Sequence, residues 1–90
     1  MCKTGIYLIK NEINQHMYVG QAKDINARWI HHRSDLKNGR HSNNHLQSAW
    51  NLYGGDNFTF SILEECKVEE LDEREQFWIN KLDTYNNGYN

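Results

Sequence analysis

Two short runs near the start of the chain, GIYLIKN (Gly5–Asn11) and HMYVG (His16–Gly20), are rich in β-formers and separated only by the polar tetrapeptide EINQ. Runs of this length and composition with a short polar link form an antiparallel hairpin. Side chains alternate along a strand. Ile6 and Leu8 therefore share one face of the first strand, and Met17 and Val19 share one face of the second. If the strands pair in register, Tyr7 and Tyr18 both point to the face opposite those apolar pairs, which this pattern makes the non-core face.

The remaining segments supply helices to cover that hairpin and one more strand. Asp24 is placed to cap a helix running through INARWIHHRSDLKN and stopping at Gly39. Its apolar stripe is Ile25, Trp29 and Leu36, with His32 on the stripe and Arg28 one turn earlier at its edge. SNNHLQSAWNLYGG reads as a second, short helix capped near Ser42 and ended by Gly54, and NFTFSILEE alternates as a third strand. A helix over Leu71–Leu82 follows, and the polar turn TYNNGYN closes the chain. The expected fold is α+β: a small three-stranded antiparallel sheet flanked by about three helices in the order ββααβα, one domain over residues 1–90.

Composition excludes several classes. Hydrophobic residues make up 38% and aromatics 12%, too many for a disordered chain. No apolar run approaches the ~18 residues of a membrane span, and MCKTGIYLIKN lacks the long apolar centre of a signal peptide. Cys2 and Cys66 are isolated, which suits two free thiols in a reducing cytoplasm. The net charge of −2 averages unlike regions. Lys23, Arg28, Arg33, Lys37 and Arg40 outnumber Asp24 and Asp35 in the middle of the chain, where His31, His32, His41 and His45 also lie, whereas residues 46–90 are strongly acidic. A cationic, His-rich middle is where a polyanion would land.

The helix LDEREQFWINKL carries one residue out of place. At about 100° per residue, Val68, Leu71, Trp78, Ile79 and Leu82 share one arc, and Glu75 falls in the middle of it. An ionised carboxylate is seldom buried without a partner, because its desolvation costs several kcal/mol or more. Two tyrosines on one face of a hairpin, Arg28 with His32 on one helix and Glu75 on another would share a single explanation if they met in one site.

The pattern GIY at Gly5–Tyr7, ten residues, then YVG at Tyr18–Gly20 resembles the signature of the GIY-YIG nuclease superfamily. The Arg of NARW, the Glu of EREQFWI and the Asn of the closing NGYN resemble the family's later motifs at Arg28, Glu75 and Asn90. SDLKNGRHS and FSILEE look most like the N-terminal catalytic domain of phage group I intron homing endonucleases, and on that branch the accompanying histidines match His32 and His41, not His31 or His45. Val19 stands where the family name has Ile.

The resemblance implies an endodeoxyribonuclease that hydrolyses phosphodiester bonds of double-stranded DNA with Mg²⁺ or Mn²⁺, through a single ion held by Glu75. One carboxylate suffices as protein anchor because Mg²⁺ keeps several waters and takes a phosphate oxygen as ligand, whereas a two-metal site wants several acids together. Arg28 offers a planar, permanently charged fork to phosphate oxygens. Tyr7 or Tyr18 is expected to orient or deprotonate the water, with Tyr7 favoured as the base and Tyr18 as its hydrogen-bonding partner. A free phenol is about a thousandfold short of ionised at pH 7, so it needs a cationic neighbour such as Arg28, His32 or the metal. His41, in a polar loop, is expected as a phosphate contact or proton donor, and Asn90 as an orienting hydrogen-bond group. With few phosphate-binding groups and no recognition helix, the chain reads as the N-terminal module of a longer, monomeric enzyme whose C-terminal region binds the target. The competing expectation is a non-catalytic zinc- or nucleic-acid-binding module or scaffold. No pair here has the CxxC or HxxxH spacing of a zinc site except His41 and His45, which straddle a helix start.

Overall fold

The computed structural model describes residues 3–90. The free-thiol reading of Cys2 falls outside those residues; Cys66 is a free thiol. Strands β1 (Gly5–Asn11), β2 (Met17–Ala22) and β3 (Phe58–Glu65) form one antiparallel sheet in the order β2-β1-β3, so the first strand is central. Helices α1 (Ile25–Lys37) and α2 (Asn44–Tyr53) precede β3, and α3 (Leu71–Leu82) follows it. The closing polar segment is a further short helix, α4 (Thr84–Asn87), entered through a left-handed Asp83 at φ 53° that ends α3. No helix among the described residues is long and apolar enough to cross a membrane.

Local signals explain these boundaries. The Asp24 carboxylate accepts the Ala27 N–H and caps α1, and Asn43 does the same for α2 through Leu46 N–H, one residue later than Ser42. Strand β2 extends two residues beyond Gly20 because Gln21 and Ala22 pair with Ile6 and Gly5. In this register Tyr7 lies opposite Gly20, Leu8 opposite Val19 and Ile9 opposite Tyr18, so both tyrosines do share a face.

That face is not the non-core one. The sheet is covered on both sides. Tyr7, Ile9, Tyr18, Phe58 and Phe60 pack under α1 and α2 with Ile25, Leu36 and Leu46, while Ile6, Leu8 and Val19 pack under α3 with Leu71, Trp78 and Ile79. Ile6, Tyr7 and Ile9 are all fully buried. The apolar run Ile6–Ile9 has no polar residue alternating through it, which is the pattern of a strand buried on two faces. Each such aliphatic side chain contributes about 1.5–3 kcal/mol by leaving water.

The glycines of the two tripeptides are explained by close approach. A Cβ on Gly20 would lie 2.3 Å from Cζ and the hydroxyl oxygen of Tyr7, whose ring rests on the β2 backbone at that point. A Cβ on Gly5 would lie 2.0 Å from the Glu64 carbonyl oxygen, next to the bulge where β3 shifts register against Ile6 and Tyr7.

Candidate active site

Tyr7 reaches from the central strand to α1, where its hydroxyl lies 2.6 Å from His32 Nε2. His32 Nδ1 lies 2.6 Å from His41 Nε2, the two rings being stacked, and His41 Nδ1 accepts the Asn43 backbone N–H at 3.0 Å. Because a backbone N–H can only donate, the direction of the whole series is set. His41 Nδ1 is unprotonated, so the neutral ring carries its hydrogen on Nε2 and donates to His32 Nδ1. His32 then carries its hydrogen on Nε2 and donates to the Tyr7 oxygen. The Tyr7 O–H hydrogen is not used by His32.

Both imidazoles are buried, which favours the neutral rings. Burial pushes His32 down to about 4, helped by the neighbouring His41 and Arg28. Burial also pushes His41 below the ordinary histidine value, and the Asn43 N–H aimed at Nδ1 favours the unprotonated ring. A residue of α2 and the residue that caps it hold His41. Gln47 accepts the His41 backbone N–H and donates in turn to the Leu36 carbonyl, and Asn43 anchors itself through the Tyr89 carbonyl. His41 is thus a buried link in a series, with both ring nitrogens engaged by protein, rather than an open phosphate contact.

The phenols sit in a mixed field. Burial, then the adjacent Tyr18, raises Tyr7 well above the ordinary tyrosine value; Arg28 opposes this and Glu75 adds to it. Tyr18 is raised by burial and by Glu75, and lowered by Arg28. Arg28 is solvent-exposed and lines an open cleft of about 600 Å³ with Gln21, Lys23, His31 and Leu71, and also a smaller hollow of about 160 Å³ with His32, Asp35 and His41.

Glu75 comes from the opposite layer. It is half-buried on α3, and its Oε1 accepts a hydrogen bond from Gln21 Nε2 at 3.2 Å. Among the described residues it forms no ion pair; its neighbour Arg74 is taken by Glu64, 2.9 Å away, which also receives the Trp78 indole N–H. The carboxylate in the apolar arc therefore lacks the structural cation that would make it a simple salt-bridge member. β2 is an edge strand, and Tyr18 on it feels the charges of both Glu75 from one layer and Arg28 from the other.

Asn90 stands apart from the phenols and works on the same edge. Its side-chain oxygen accepts Val19 N–H at 2.7 Å and its amide donates to the Val19 carbonyl at 2.8 Å, which pins β2 between Tyr18 and Gly20. Sequence reasoning missed Gln21, Asn43 and Gln47. Gln21 did carry a signal, since it continues the Met17–Val19 face as a polar residue in an apolar series.

No cluster of three or more His, Cys, Asp or Glu side chains able to hold a metal exists among the described residues, which removes support from a zinc module. The donor set does fit one hard, water-rich cation: Glu75 Oε2 has no protein partner among the described residues, and oxygen ligation is what Mg²⁺ requires.

A sheet of this order, with two signature tripeptides on its paired first strands and the later motif residues gathered around the edge strand, defines a family. Residues 3–90 match the GIY-YIG catalytic domain, and the chain belongs to that family. It is 49% identical over 90 residues to the intron-associated endonuclease 1 of Enterobacteria phage T4, covering 98% of this chain and 36% of that protein. It is 37% identical over 95 residues to a probable intron-encoded endonuclease 1 of Neurospora crassa, covering 98% of this chain and 30% of that protein. The chain thus spans about a third of the length of these curated relatives. Among solved structures it is similar to the catalytic domain of homing endonuclease I-TevI, with a TM-score of 0.91 at 47% identity over 98% of this chain and 97% of that one. The E75A mutant of that catalytic domain matches equally well, with a TM-score of 0.91 over 92% of its chain.

Proposed function

We propose that this chain is the catalytic module of a DNA endonuclease of the homing type, hydrolysing phosphodiester bonds with one divalent cation, Mg²⁺ or Mn²⁺, anchored by Glu75. The observation that carries the reading is the series from the Asn43 amide through His41 and His32 to the Tyr7 oxygen, together with Glu75 and Arg28, neither of which forms an ion pair among the described residues. A nuclease must place a water in line with phosphorus, take its proton, and neutralise charge on the phosphoryl oxygens and the departing 3′-oxygen.

Tyr7 is the base in this reading. The His32 N–H donated to its oxygen is the bond that stabilises a phenolate, and Arg28 pulls in the same direction. The phenol hydrogen is the one that His32 leaves unused; once it is given up to solvent, the phenolate takes the proton of the attacking water as the P–O3′ bond breaks, and the departing 3′-oxygen takes a proton from water. Tyr18, on the same face, orients that water beside Tyr7. Arg28 binds the non-bridging phosphate oxygens in its planar fork. His41 keeps His32 in the donating tautomer, and Asn90 keeps β2 and hence Tyr18 in place. A cation at Glu75 supplies charge relief for the phosphoryl group and removes the repulsion that Glu75 exerts on a forming phenolate.

The chain acts as a monomer on double-stranded DNA, and the greater length of its relatives supports a target-binding region outside the 90 residues. A supercoiled-plasmid nicking assay with Mg²⁺ or EDTA tests the reading. Wild type nicks only with the cation; Tyr7→Phe, Arg28→Ala and Glu75→Ala each lose at least about a hundredfold, the range seen when a catalytic base or charge stabiliser is removed. Three variants that nick as well as wild type overturn it.

A further inference from the structure

Gln21 stands out once the site is assembled. It lies on β2 opposite Ile6, on the sheet face packed under α3, yet its side chain is spent on carboxylates rather than on packing. Its Nε2 donates to Asp72 Oδ1 at 2.8 Å and to Glu75 Oε1 at 3.2 Å. Asp72 and Glu75 are three residues apart on α3, so their carboxylates project along one side of the helix and repel. One amide nitrogen has two hydrogens, and here each goes to a different acid. The amide thus bridges two like charges, neither of which has an ion-pair partner among the described residues, and fixes the rotamer of Glu75. With Oε1 occupied, Oε2 is the oxygen of Glu75 left without a protein partner among the described residues.

We infer that Gln21 is a positioning residue for the Glu75 carboxylate, holding Oε1 so that Oε2 alone is presented to a divalent cation. The inference rests on the reading of Glu75 as the cation's anchor. A ligating carboxylate that is itself hydrogen-bonded loses less freedom on binding, and partners of this kind typically carry about 10–100-fold of metal affinity. A site with a single protein carboxylate depends on such a partner more than a multidentate one, because nothing else fixes the ligand.

The test is direct Mn²⁺ binding to the 90-residue chain, read by electron paramagnetic resonance of free Mn²⁺, alongside the Mg²⁺ dependence of plasmid nicking. Wild type, Gln21→Leu, Gln21→Met and Glu75→Ala are compared after a melting curve establishes that each is folded; leucine and methionine keep the bulk under α3 and remove the donor. Both Gln21 variants are expected to bind Mn²⁺ about tenfold more weakly. The Mg²⁺ concentration at half-maximal nicking should rise in step while the plateau rate at saturating Mg²⁺ stays near wild type. A purely structural role would lower the melting temperature without moving the binding midpoint. If Glu75→Ala loses Mn²⁺ and the Gln21 variants bind it like wild type, the positioning role is refuted and the anchor stands. If Glu75→Ala binds like wild type, the anchor itself is wrong and the role of Gln21 goes with it.

Discussion

The buried imidazole of His32 makes acid sensitivity a quantitative consequence of the fold. In the unfolded chain the ring takes up a proton near its ordinary 6.5; in the folded protein it does so only at about 4, because burial and then His41 and Arg28 disfavour the charge, with Asp35 acting weakly the other way. Between those values the unfolded state holds more protons, so acidification drives unfolding. The contribution is fully present above the unfolded value, falls through the interval and is gone below the folded one. Lowering the pH from about 7.5 to about 4.5 should therefore remove roughly 2–3 kcal/mol through His32 alone. Acidification acts on other groups as well, so the quantity to measure is a difference. His32→Gln keeps a neutral donor facing Tyr7 and cannot charge. Urea unfolding of both proteins at the two pH values should give a pH-dependent loss roughly 2–3 kcal/mol larger for wild type. Side-chain NMR of His32 gives an independent reading, with no protonation until well below the ordinary histidine range. Equal losses in the two proteins, or a ring that titrates normally, would refute the argument that burial keeps this imidazole neutral.

Other substitutions separate function from stability. Glu75→Ala should keep or raise the melting temperature while abolishing nicking, because it removes a half-buried acid without an ion pair from an apolar arc and substitutes a better helix former; a large fall in melting temperature would reveal an unseen structural partner. Gly20→Ala places a methyl group against the Tyr7 ring, so it should cost about 1–3 kcal/mol in denaturant unfolding and lower nicking, whereas the same change at the exposed Gly39 meets no atom within 4 Å and should leave nicking unchanged.

Much of the fold was legible because it rests on local chemistry. The Asp24 cap, the stripe Ile25–Trp29–His32–Leu36 and the hairpin link are all short-range signals, and each became the element expected of it. What escaped the sequence was long-range. His41 does lie in the loop between α1 and α2, but its burial was not legible, because it is created by Gln47 and His32, six and nine residues away, which meet it from two helices. The tyrosine face looked solvent-facing because β1 was taken as a strand covered once. The short α4 was missed for a backbone reason: a left-handed Asp83 resets the chain direction among residues that otherwise spell a turn. For the site, single residues could be nominated by type and spacing, but the polarity of the Asn43–His41–His32–Tyr7 series exists only in three dimensions.

The bracket that Asn90 places around Val19 also bears on how molecules behave in concentrated solution. An outermost strand normally offers a free ladder of amides and carbonyls on which another chain can stack. Here the Val19 N–H and carbonyl are both occupied by one side chain, and the Met17 carbonyl is occupied by the Tyr89 N–H. The stretch of β2 next to Tyr18 is thereby closed to foreign strands, so Asn90 and Tyr89, in pinning this edge, also deny aggregation its most convenient template.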